Sequence, residues 1–399
     1  MKNYRPLARI FMIGLAAALL LLSAPGLLAA KKPKSKPAAK PAAAVAPDVL
    51  VFSNGDKLTG KLTKADGAKV TFSAQDAGNI TVPWSKIKEL QTAQPFAVIA
   101  KNQDATRKRQ NSAIPIGELS YDGKVLTVTE NGQARVVPLT QVSNVIDSAT
   151  FHKNVDQRQG LLQGITGALT FGYAQVNSTF NTKTINSGVN LSRTVPAVPW
   201  MKPAFRTLLN FTNSYSTFKQ SPNPTAVTNI LHGSLEEDEF LEPRFYALEQ
   251  AIYDKNSVEG LDLQQIYGGG FGYTLIKRPK QSLDVSGTIN YTQQQFATPI
   301  TLVAGQAPHA TQHLVGATFA DNYMYKLPRN IILMENANIN PQFNYAQAYT
   351  ANATVGATMP IIKTFALTVQ AIDNYLNDPP PGFKRNSTQY TTGLTYTLP

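Results

Sequence analysis

The sequence contains no cysteine, and this absence excludes several kinds of chemistry at once. Among its 399 residues there can be no disulfide framework, no thiolate nucleophile, no cysteine-ligated metal and no lipidated N-terminal cysteine. Histidine is also scarce, and the four that occur do not have the spacing of metal ligands. They are His152, His232, His309 and His313. We therefore expect neither a metal nor a cofactor.

Acidic residues are outnumbered, with 25 Asp and Glu against 37 Lys and Arg, which gives a formal net charge of +12. Eight of the basic residues lie within the first 40 positions: Lys2, Arg5, Arg9, Lys31, Lys32, Lys34, Lys36 and Lys40. Beyond residue 160 we count 15 basic and 14 acidic residues, a balance of +1. Because the excess is terminal and does not form a basic face on a folded domain, we expect no nucleic-acid partner.

The uninterrupted apolar run of the N-terminal region is short for a helix that spans a bilayer. Residues 1–30 begin with basic residues, continue with an apolar run from Ile10 to Leu22 and finish in small residues. This layout predicts a cleaved secretory signal peptide, with a retained anchor as the alternative. Residues 31–47, "KKPKSKPAAKPAAAVAP", predict an extended tether because prolines prevent a regular helix and lysines repel one another.

Residues 48–150 contain two weak repeats. The segment that begins "NGDKLTGKLTKADG" aligns with the one that begins "NSAIPIGELSYDG", and the alignment matches Gly60 with Gly117, Val70 with Val125, Trp84 with Leu139 and Ile87 with Val142. Asp-Gly and Asn-Gly pairs separate short apolar runs, which predicts strands joined by tight turns. We expect a small all-β module, SH3-like or Sm-like, built as two tiny barrels or one sandwich. Trp84 is expected in its core, with a ligand-stacking role as the alternative.

Residues 160–399 alternate apolar and polar side chains. In "SLDVSGTINYT", Leu283, Val285, Ile289 and Tyr291 share one parity, whereas the other carries small polar residues. We read about 12 such segments: 166–177, 183–194, 204–218, 225–240, 244–255, 263–277, 282–296, 309–326, 329–341, 348–359, 363–376 and 386–398. Their length is typical of tilted strands that cross a bilayer.

The connections between these segments alternate between short and long, as in an outer-membrane barrel. Short links such as "KRPKQ" and "KLPR" alternate along the chain with longer links such as "NDPPPGFKR". Only "VPAVPWMKP" is longer than a link on the periplasmic side is expected to be. With an even number of strands, the chain enters and leaves the barrel on the same side, which is expected to be the periplasmic side. The sequence therefore predicts a transmembrane antiparallel up-and-down β-barrel whose apolar face contacts lipid, with a soluble, secreted β-sandwich or solenoid as the alternative.

Residues 244–296 resemble the central part of the domain-of-unknown-function 481 family, the salt-induced outer-membrane protein family. The resemblance rests on Arg244–Tyr246, Leu261–Leu263, Gly268–Tyr273 and Asp284–Tyr291, and "VFSNGDKLTGKL" resembles the β module that often precedes this barrel. It implies an outer-membrane barrel in a Gram-negative-type envelope, with no known activity. The implied partners are outer-membrane lipid and the barrel assembly machinery, although the chain ends in Pro399 where such barrels commonly have an aromatic residue.

Three motifs carry possible chemistry. His232 and Ser234 have the H-x-S spacing of the outer-membrane phospholipase family, but their parity directs them into the lumen, where a hydrogen-bonding role is expected. The run Glu236–Glu239 has carboxylates for calcium but lacks a calcium loop, so we expect it to be solvated or paired with Arg244. "YGGGFGY" lies inside a strand, where glycines indicate close approach of an internal side chain.

The sequence thus favours a non-enzymatic outer-membrane barrel of the cell envelope, either structural or a narrow channel for small polar solutes, and it assigns no catalytic, cofactor or metal residue. Residues 48–150 are expected in the periplasm, where they could contact peptidoglycan or another envelope protein. Two alternatives remain open. One is a lipid hydrolase that uses Ser234 and His232. The other is a surface adhesin or receptor that uses the loops at 297–310 and 377–385.

Overall fold

A computed structural model describes the chain in these ranges: 46–74, 77–101, 103, 105–106, 111, 113–157, 159–160, 162–177, 181–219, 225–300 and 309–398. The expected signal peptide, nearly all of the expected tether and most of the loop at 297–310 lie outside the described residues. Among the described residues, no helix has both the length and the apolar character needed to cross a membrane.

The N-terminal module is one antiparallel sheet followed by a helix. The sheet consists of β1 (Asp48–Phe52), β2 (Lys57–Ala65), β3 (Lys69–Ala74), β4 (Gly78–Pro83), β5 (Ile87–Ala100), β6 (Ile116–Tyr121), β7 (Leu126–Glu130), β8 (Gln133–Val137) and β9 (Val142–Asp147). Its strand order is β4-β3-β2-β1-β5-β6-β7-β8, and β9 pairs with both β2 and β5. The helix α1 spans Ser148–Asp156.

The two repeats fold alike. A short 3-10 helix begins at Trp84 in the first and at Leu139 in the second, and each follows a proline in extended conformation. The matched glycines are also equivalent, because an added Cβ at Gly60 or at Gly117 would lie 2.1 Å from the carbonyl oxygen of a neighbouring strand. Trp84 is buried and its indole donates to the Asp66 carbonyl at 2.7 Å, so its predicted core position is confirmed.

The repeats do not form two separate barrels. The long strand β5 belongs to both, because Ile87–Gln91 pairs with β1 and Phe96–Ala100 pairs with β9. Strands β2, β1, β5 and β9 thereby close a small circuit, which is completed by the Ala65–Val145 pair between β2 and β9. One core fills the module and draws on both repeats, with Leu50, Phe72, Leu90, Phe96, Leu119 and Leu126 fully buried.

The second unit of the fold is a closed barrel of twelve antiparallel strands. These are β10 (Ile165–Asn177), β11 (Asn181–Val195), β12 (Phe205–Lys219), β13 (Ala226–Phe240), β14 (Phe245–Asn256), β15 (Leu261–Arg278), β16 (Gln281–Ile300), β17 (His309–Lys326), β18 (Ile332–Asn340), β19 (Thr350–Ile362), β20 (Phe365–Leu376) and β21 (Asn386–Leu398). All twelve predicted segments are confirmed to within a few residues, and β10 closes the barrel against β21.

The barrel is apolar outside and polar inside. Phe171, Ile289, Phe319 and Val355 expose between 57% and 69% of their surface on its exterior. Buried polar residues face inward from five strands of the barrel, β15, β16, β17, β20 and β21: Gln264, Thr288, Asn290, Thr292, Gln294, Gln312, Thr318, Thr368 and Thr395. This distribution is the reverse of a soluble protein and matches a lipid-exposed barrel, in which closure satisfies the backbone hydrogen bonds that lipid cannot.

The two ends of the barrel differ. We call the end where the chain enters at Ile165 and leaves at Leu398 the proximal end, and the opposite one the distal end. Proximal connections are mostly tight: two residues join β15 to β16 and two join β19 to β20. Distal connections are longer, such as the nine residues between β20 and β21. The predicted alternation of short and long links is confirmed from β15 onward, where successive links have two, eight, five, nine, two and nine residues, whereas the links before and after β14 both have four.

The one long proximal link, between β11 and β12, has a structural reason. Its Val198, Trp200 and Met201 join a buried apolar cluster with Phe151 and Val155 of helix α1. The Phe151 and Trp200 rings stack with centroids 5.6 Å apart. A parallel bridge between Ala105 and Met201 and a hydrogen bond from the Lys202 amide to the Ala105 carbonyl at 3.4 Å extend the contact. The link between β11 and β12 is thus the part of the barrel that helix α1 of the module packs against.

Replacing Phe151 with alanine is expected to loosen the module from the barrel while both remain folded. Phe151 is buried against Trp200, and truncating a buried phenylalanine costs about 3–5 kcal/mol. Limited proteolysis should then cut the segment between α1 and β10 much faster than in the wild type. Val136→Ala, which truncates an exposed side chain of the same module, serves as the matched control. Equal cleavage rates in all three proteins would contradict the docking contact.

Candidate functional site: the barrel lumen

The lumen is the concave surface that the fold builds from its polar side chains. The even-numbered residues of β11, β12 and β13 share one side of the sheet, because Gly188 pairs with Thr212 and Thr212 pairs with His232. The same parity continues into β16, whose Thr288 and Asn290 are buried. The polar face inferred from sequence is therefore the lumen wall.

One side of the lumen, along β14 to β18, is packed. The Asn290 amide donates to Thr318 Oγ1 at 2.8 Å and to Asn340 Oδ1 at 3.1 Å, which links β16, β17 and β18. Nearer the distal end, the Gln294 amide donates to Gln264 Oε1 at 2.7 Å. These side chains fill the space between the strands with mutual hydrogen bonds, as buried polar groups require.

The glycines of "YGGGFGY" make this packing possible. Gly268, Gly270 and Gly272 face inward, and a Cβ at Gly272 would lie 2.2 to 2.5 Å from ring atoms of Tyr246. Tyr246 is itself 1% exposed and points into the lumen from β14. The expected close approach of an internal side chain is confirmed at Gly272.

The opposite side, along β11 to β13, remains accessible to solvent. Its inward residues are small and polar, and most of them are partly exposed although they lie inside the barrel: Thr184, Asn186, Gly188, Asn210, Thr212, Ser214 and Ser216. Asn190, next along β11, is exposed. The inward face of β11 to β13 is therefore less tightly covered than that of β14 to β18.

A charged cluster crosses the lumen near the proximal end. Arg206 on β12 donates from Nε to Asp238 Oδ2 on β13 at 2.6 Å, and its Nη1 lies 3.7 Å from Asp284 Oδ1 on β16, four strands away. The guanidinium also lies over the rings of Tyr246 and Phe240, 5.0 and 5.5 Å from their centroids. Both ion-pair and cation–π contacts thus hold one arginine across the barrel.

The acidic run Glu236–Glu239 is arranged differently from the expectation. Strand alternation points Glu236 and Asp238 into the lumen, whereas Glu237 and Glu239 face outward. Asp238 has no exposed surface and pairs with Arg206, so the expected solvation or pairing with Arg244 is wrong for this residue. Arg244 instead donates to the Leu275 carbonyl at 3.4 Å. Among the described residues, no group of three or more His, Asp or Glu could hold a metal ion.

His232 forms a pair with Asp254 in the distal half of the lumen. Its Nδ1 lies 2.7 Å from Asp254 Oδ1, and Asp254 also accepts from Gln264 at 2.9 Å. Ser234 faces the lumen two residues away on the same strand, as predicted, and within the described barrel no hydrogen bond joins it to His232. The histidine therefore belongs to a lumen network.

The distal end is narrowed by apolar side chains. Leu261, Phe296 and Leu376 form a small buried cluster, although β20 lies four strands from β16. Glu259, in the link between β14 and β15, is also buried there. Burial, with a smaller contribution from Asp254 and Asp373, raises the pKa of Glu259 to about 8, so its carboxyl is mostly protonated at neutral pH.

The cluster around Arg206 was missed by sequence reasoning. Its members come from four strands that span residues 206–284, and no local spacing links them. The sequence did contain one indication of this cluster. Strand alternation places Arg206 on the inward side, and an arginine inside a small polar lumen needs a buried acidic partner. The parity of Asp238 and Asp284 marked them as the candidates.

Together, the closed strand order, the apolar exterior and the polar lumen define a transmembrane β-barrel with a narrow, polar interior. Residues 169–398, more than half of the chain, match the family model described as protein of unknown function, DUF481. The chain belongs to this family, as its resemblance in residues 244–296 implied.

Solved structures provide distant likenesses of the barrel. An outer membrane channel from Pseudomonas putida F1 is 12% identical with a TM-score of 0.34, and the match covers 60% of this chain and 97% of that one. The β domain of the Bordetella autotransporter BrkA is 10% identical with a TM-score of 0.28, covering 59% and 99%. The outer membrane channel DcaP of Acinetobacter baumannii is 9% identical with a TM-score of 0.25, covering 89% and 95%. At these scores the likenesses carry no functional argument. No curated protein matches the chain.

Proposed function

We propose that the protein is a non-enzymatic outer-membrane β-barrel that provides a narrow passage for small polar solutes. One observation carries this proposal: the inward face of β11 to β13 is lined by small polar side chains that stay partly exposed inside the barrel. A purely structural barrel would have no need for a solvent-accessible half beside a packed one. A lumen of this kind suits water and small hydrophilic molecules.

Gly188 offers a direct way to test the passage. It faces the lumen near the middle of β11, and an added Cβ would meet Thr170 Cβ at 3.6 Å, an ordinary contact. In Gly188→Trp the indole should occupy the accessible space, so ion conductance in a planar bilayer should fall to the level of a protein-free membrane. The wild type should conduct.

Val189→Trp is the matched control for this experiment. Val189 is the next residue on β11 and faces outward, because it pairs with Leu169 and Phe211 on the exterior. Its tryptophan variant should conduct like the wild type. A wild type that stays silent would contradict the passage, and equal block by both tryptophans would show that the indole acts through misfolding and not in the lumen.

The hydrolase alternative receives less support from the geometry. Ser234 faces the lumen, whereas a lipid substrate contacts the exterior, and the His232 Nδ1 is engaged by Asp254. Detergent-purified protein is expected to release no fatty acid from phospholipid. Release that disappears in Ser234→Ala would favour the hydrolase over the passage. For the adhesin alternative, no described contact of the loop at 377–385 supplies an argument.

We place the barrel in the outer membrane and residues 48–150 in the periplasm. The even strand number supports this arrangement, because it brings the first and the last residue of the barrel, Ile165 and Leu398, to the proximal end, where the module precedes the barrel. The module is seated there by the contact of Phe151 with Trp200. Outer-membrane lipid and the assembly machinery are the proposed partners of the barrel. Peptidoglycan or another envelope protein is the proposed partner of the module.

A further inference from the structure

The link between β20 and β21, residues 377–385, reaches across the distal end of the barrel, and we call it the distal lid. The ring of its Phe383 packs on Gly260, where an added Cβ would lie 3.0 Å from two ring carbons. Gly260 belongs to the link between β14 and β15. Six strands, β15 to β20, separate the two links in the barrel of twelve, so the contact joins opposite sides of the distal mouth.

The start of the distal lid is held by the link between β18 and β19. The Asn377 side-chain amide donates to the Gln347 carbonyl at 2.9 Å. The Tyr345 hydroxyl donates to Asp378 Oδ2 at 3.0 Å. Phe383 lies near the other end of the lid, so the lid is anchored on one side of the mouth and rests on the opposite side through this ring.

A carboxyl group is buried beside the contact of Phe383 with the opposite link. Glu259 immediately precedes Gly260 and is 3% exposed. Leu261, which follows Gly260, belongs to the apolar cluster with Phe296 and Leu376. Burying an ionised carboxylate among apolar groups is costly, so this packing favours the neutral acid.

The charged groups that act on Glu259 are carboxylates, Asp254 on β14 and Asp373 on β20, and the Asn256 amide offsets only part of their effect. His232 on β13 contacts Asp254, at 2.7 Å. The other charged residues around the distal mouth are exposed or paired: Lys384 and Arg385 of the lid are exposed, and Lys255 pairs with Asp262. An ionised Glu259 would therefore be buried beside like charges.

We propose that the distal lid is a gate over the passage, that the contact of Phe383 with Gly260 keeps it closed, and that ionisation of Glu259 opens it. This inference rests on the proposed passage and names how that passage is regulated. Displacing the Phe383 ring uncovers Glu259, and its carboxylate is then hydrated instead of buried. The gate thus responds to pH at the distal side of the barrel.

The direction of this response follows from the two states of Glu259. Under the closed lid, burial raises the pKa of Glu259 to about 8. In the open state the carboxyl is solvated and titrates near the usual glutamate pKa of about 4.3. The closed state therefore holds the proton more tightly, and Glu259 supports closure fully below about pH 4.3. This support declines as the pH rises and is lost above about pH 8, so the gate opens toward alkaline pH.

A single introduced cysteine reports the opening of the lid, because the chain contains no cysteine of its own. Ser387 follows the lid, shares the inward parity of Thr395 and is 6% exposed. Ser387→Cys should react with a water-soluble thiol reagent several-fold faster at about pH 9 than at about pH 5, relative to Asn386→Cys. Asn386 is the preceding residue and is exposed, so its rate corrects for the ionisation of the thiol itself.

Two variants in the Ser387→Cys background test the parts of the gate. Glu259→Gln stays neutral at every pH, so the corrected rate should remain slow throughout. Phe383→Ala removes the closing contact, so the rate should be fast at both pH values. Phe343→Ala truncates an exposed aromatic ring of the neighbouring link and, as the matched control, should respond like the parent. A heat-dependent electrophoretic shift shows which variants are folded, and if Phe383→Ala is not, Glu259→Gln carries the test.

Conductance in a planar bilayer at the same two pH values separates the gate from the passage. The wild type should conduct several-fold more at the alkaline pH, and Glu259→Gln should lose this difference. A conducting wild type whose conductance and labelling are both independent of pH would overturn the gate and leave the passage intact. A silent bilayer with pH-dependent labelling would overturn the passage but not the movement of the lid. A folded Phe383→Ala protein that is labelled as slowly as its parent would remove Phe383 from the closure.

Discussion

Gly270→Ala is expected to prevent the barrel from reaching its folded form. Gly270 faces inward on β15, and a Cβ there would lie 2.0 Å from the Gly287 carbonyl oxygen and 2.7 Å from the Thr288 Cα. These atoms are backbone of the paired strand β16, so no side chain can rotate away. Ordinary overpacking costs about 1–3 kcal/mol, and a clash with the ladder itself should exceed that range. The heat-dependent electrophoretic shift should be absent.

The neighbouring glycine provides a control of identical chemistry. Gly269 faces outward, and its added Cβ would meet only the Leu248 carbonyl oxygen, at 3.4 Å. Gly269→Ala should therefore fold like the wild type and show the same unfolding midpoint in urea. If Gly270→Ala folded as well as Gly269→Ala, the strand register of β15 against β16 would be wrong.

Val189→Arg is expected to destabilise the barrel by about 2–4 kcal/mol, the cost of an arginine on the lipid face near the bilayer midplane. Val189 lies at the middle of β11, and its side chain shares the exterior with Leu169 and Phe211. The loss should appear in the free energy of unfolding, measured by urea titration of protein folded into liposomes.

Asn190→Arg tests the sidedness of the same strand. Asn190 is one residue along, faces the lumen and is exposed to solvent there. An arginine in an aqueous lumen keeps its hydration, so its effect on stability should stay within about 0.5 kcal/mol, as for a surface substitution. Equal losses from both variants would contradict the division into a lipid face and a water-accessible face.

The barrel could be predicted because the sequence pattern that specifies each strand lies within that strand and its adjoining turns. A period of two is visible in each strand, such as Leu283 to Tyr291, and turn residues such as those between Arg278 and Gln281 mark the ends. The repeat in the module was visible for the same reason, since Pro83-Trp84 and Pro138-Leu139 start equivalent 3-10 helices.

What could not be predicted depends on long-range contacts. Helix α1 is short and polar, and the burial of its Phe151 depends on Trp200 of a distant link. The same contact explains why "VPAVPWMKP" broke the expected pattern of link lengths. The ion pair of Arg206 with Asp284 joins strands four apart in the barrel, which requires the closed geometry and not only the parity of each strand.

The most direct test of the account is the electrophoretic mobility of the outer-membrane fraction, with and without boiling. A closed barrel with an apolar exterior resists detergent until it is heated. The account predicts a compact, fast band in the unheated outer-membrane sample that shifts to the full mass of the mature chain after boiling. A protein recovered in the soluble periplasm, with no shift on heating, would contradict the membrane barrel.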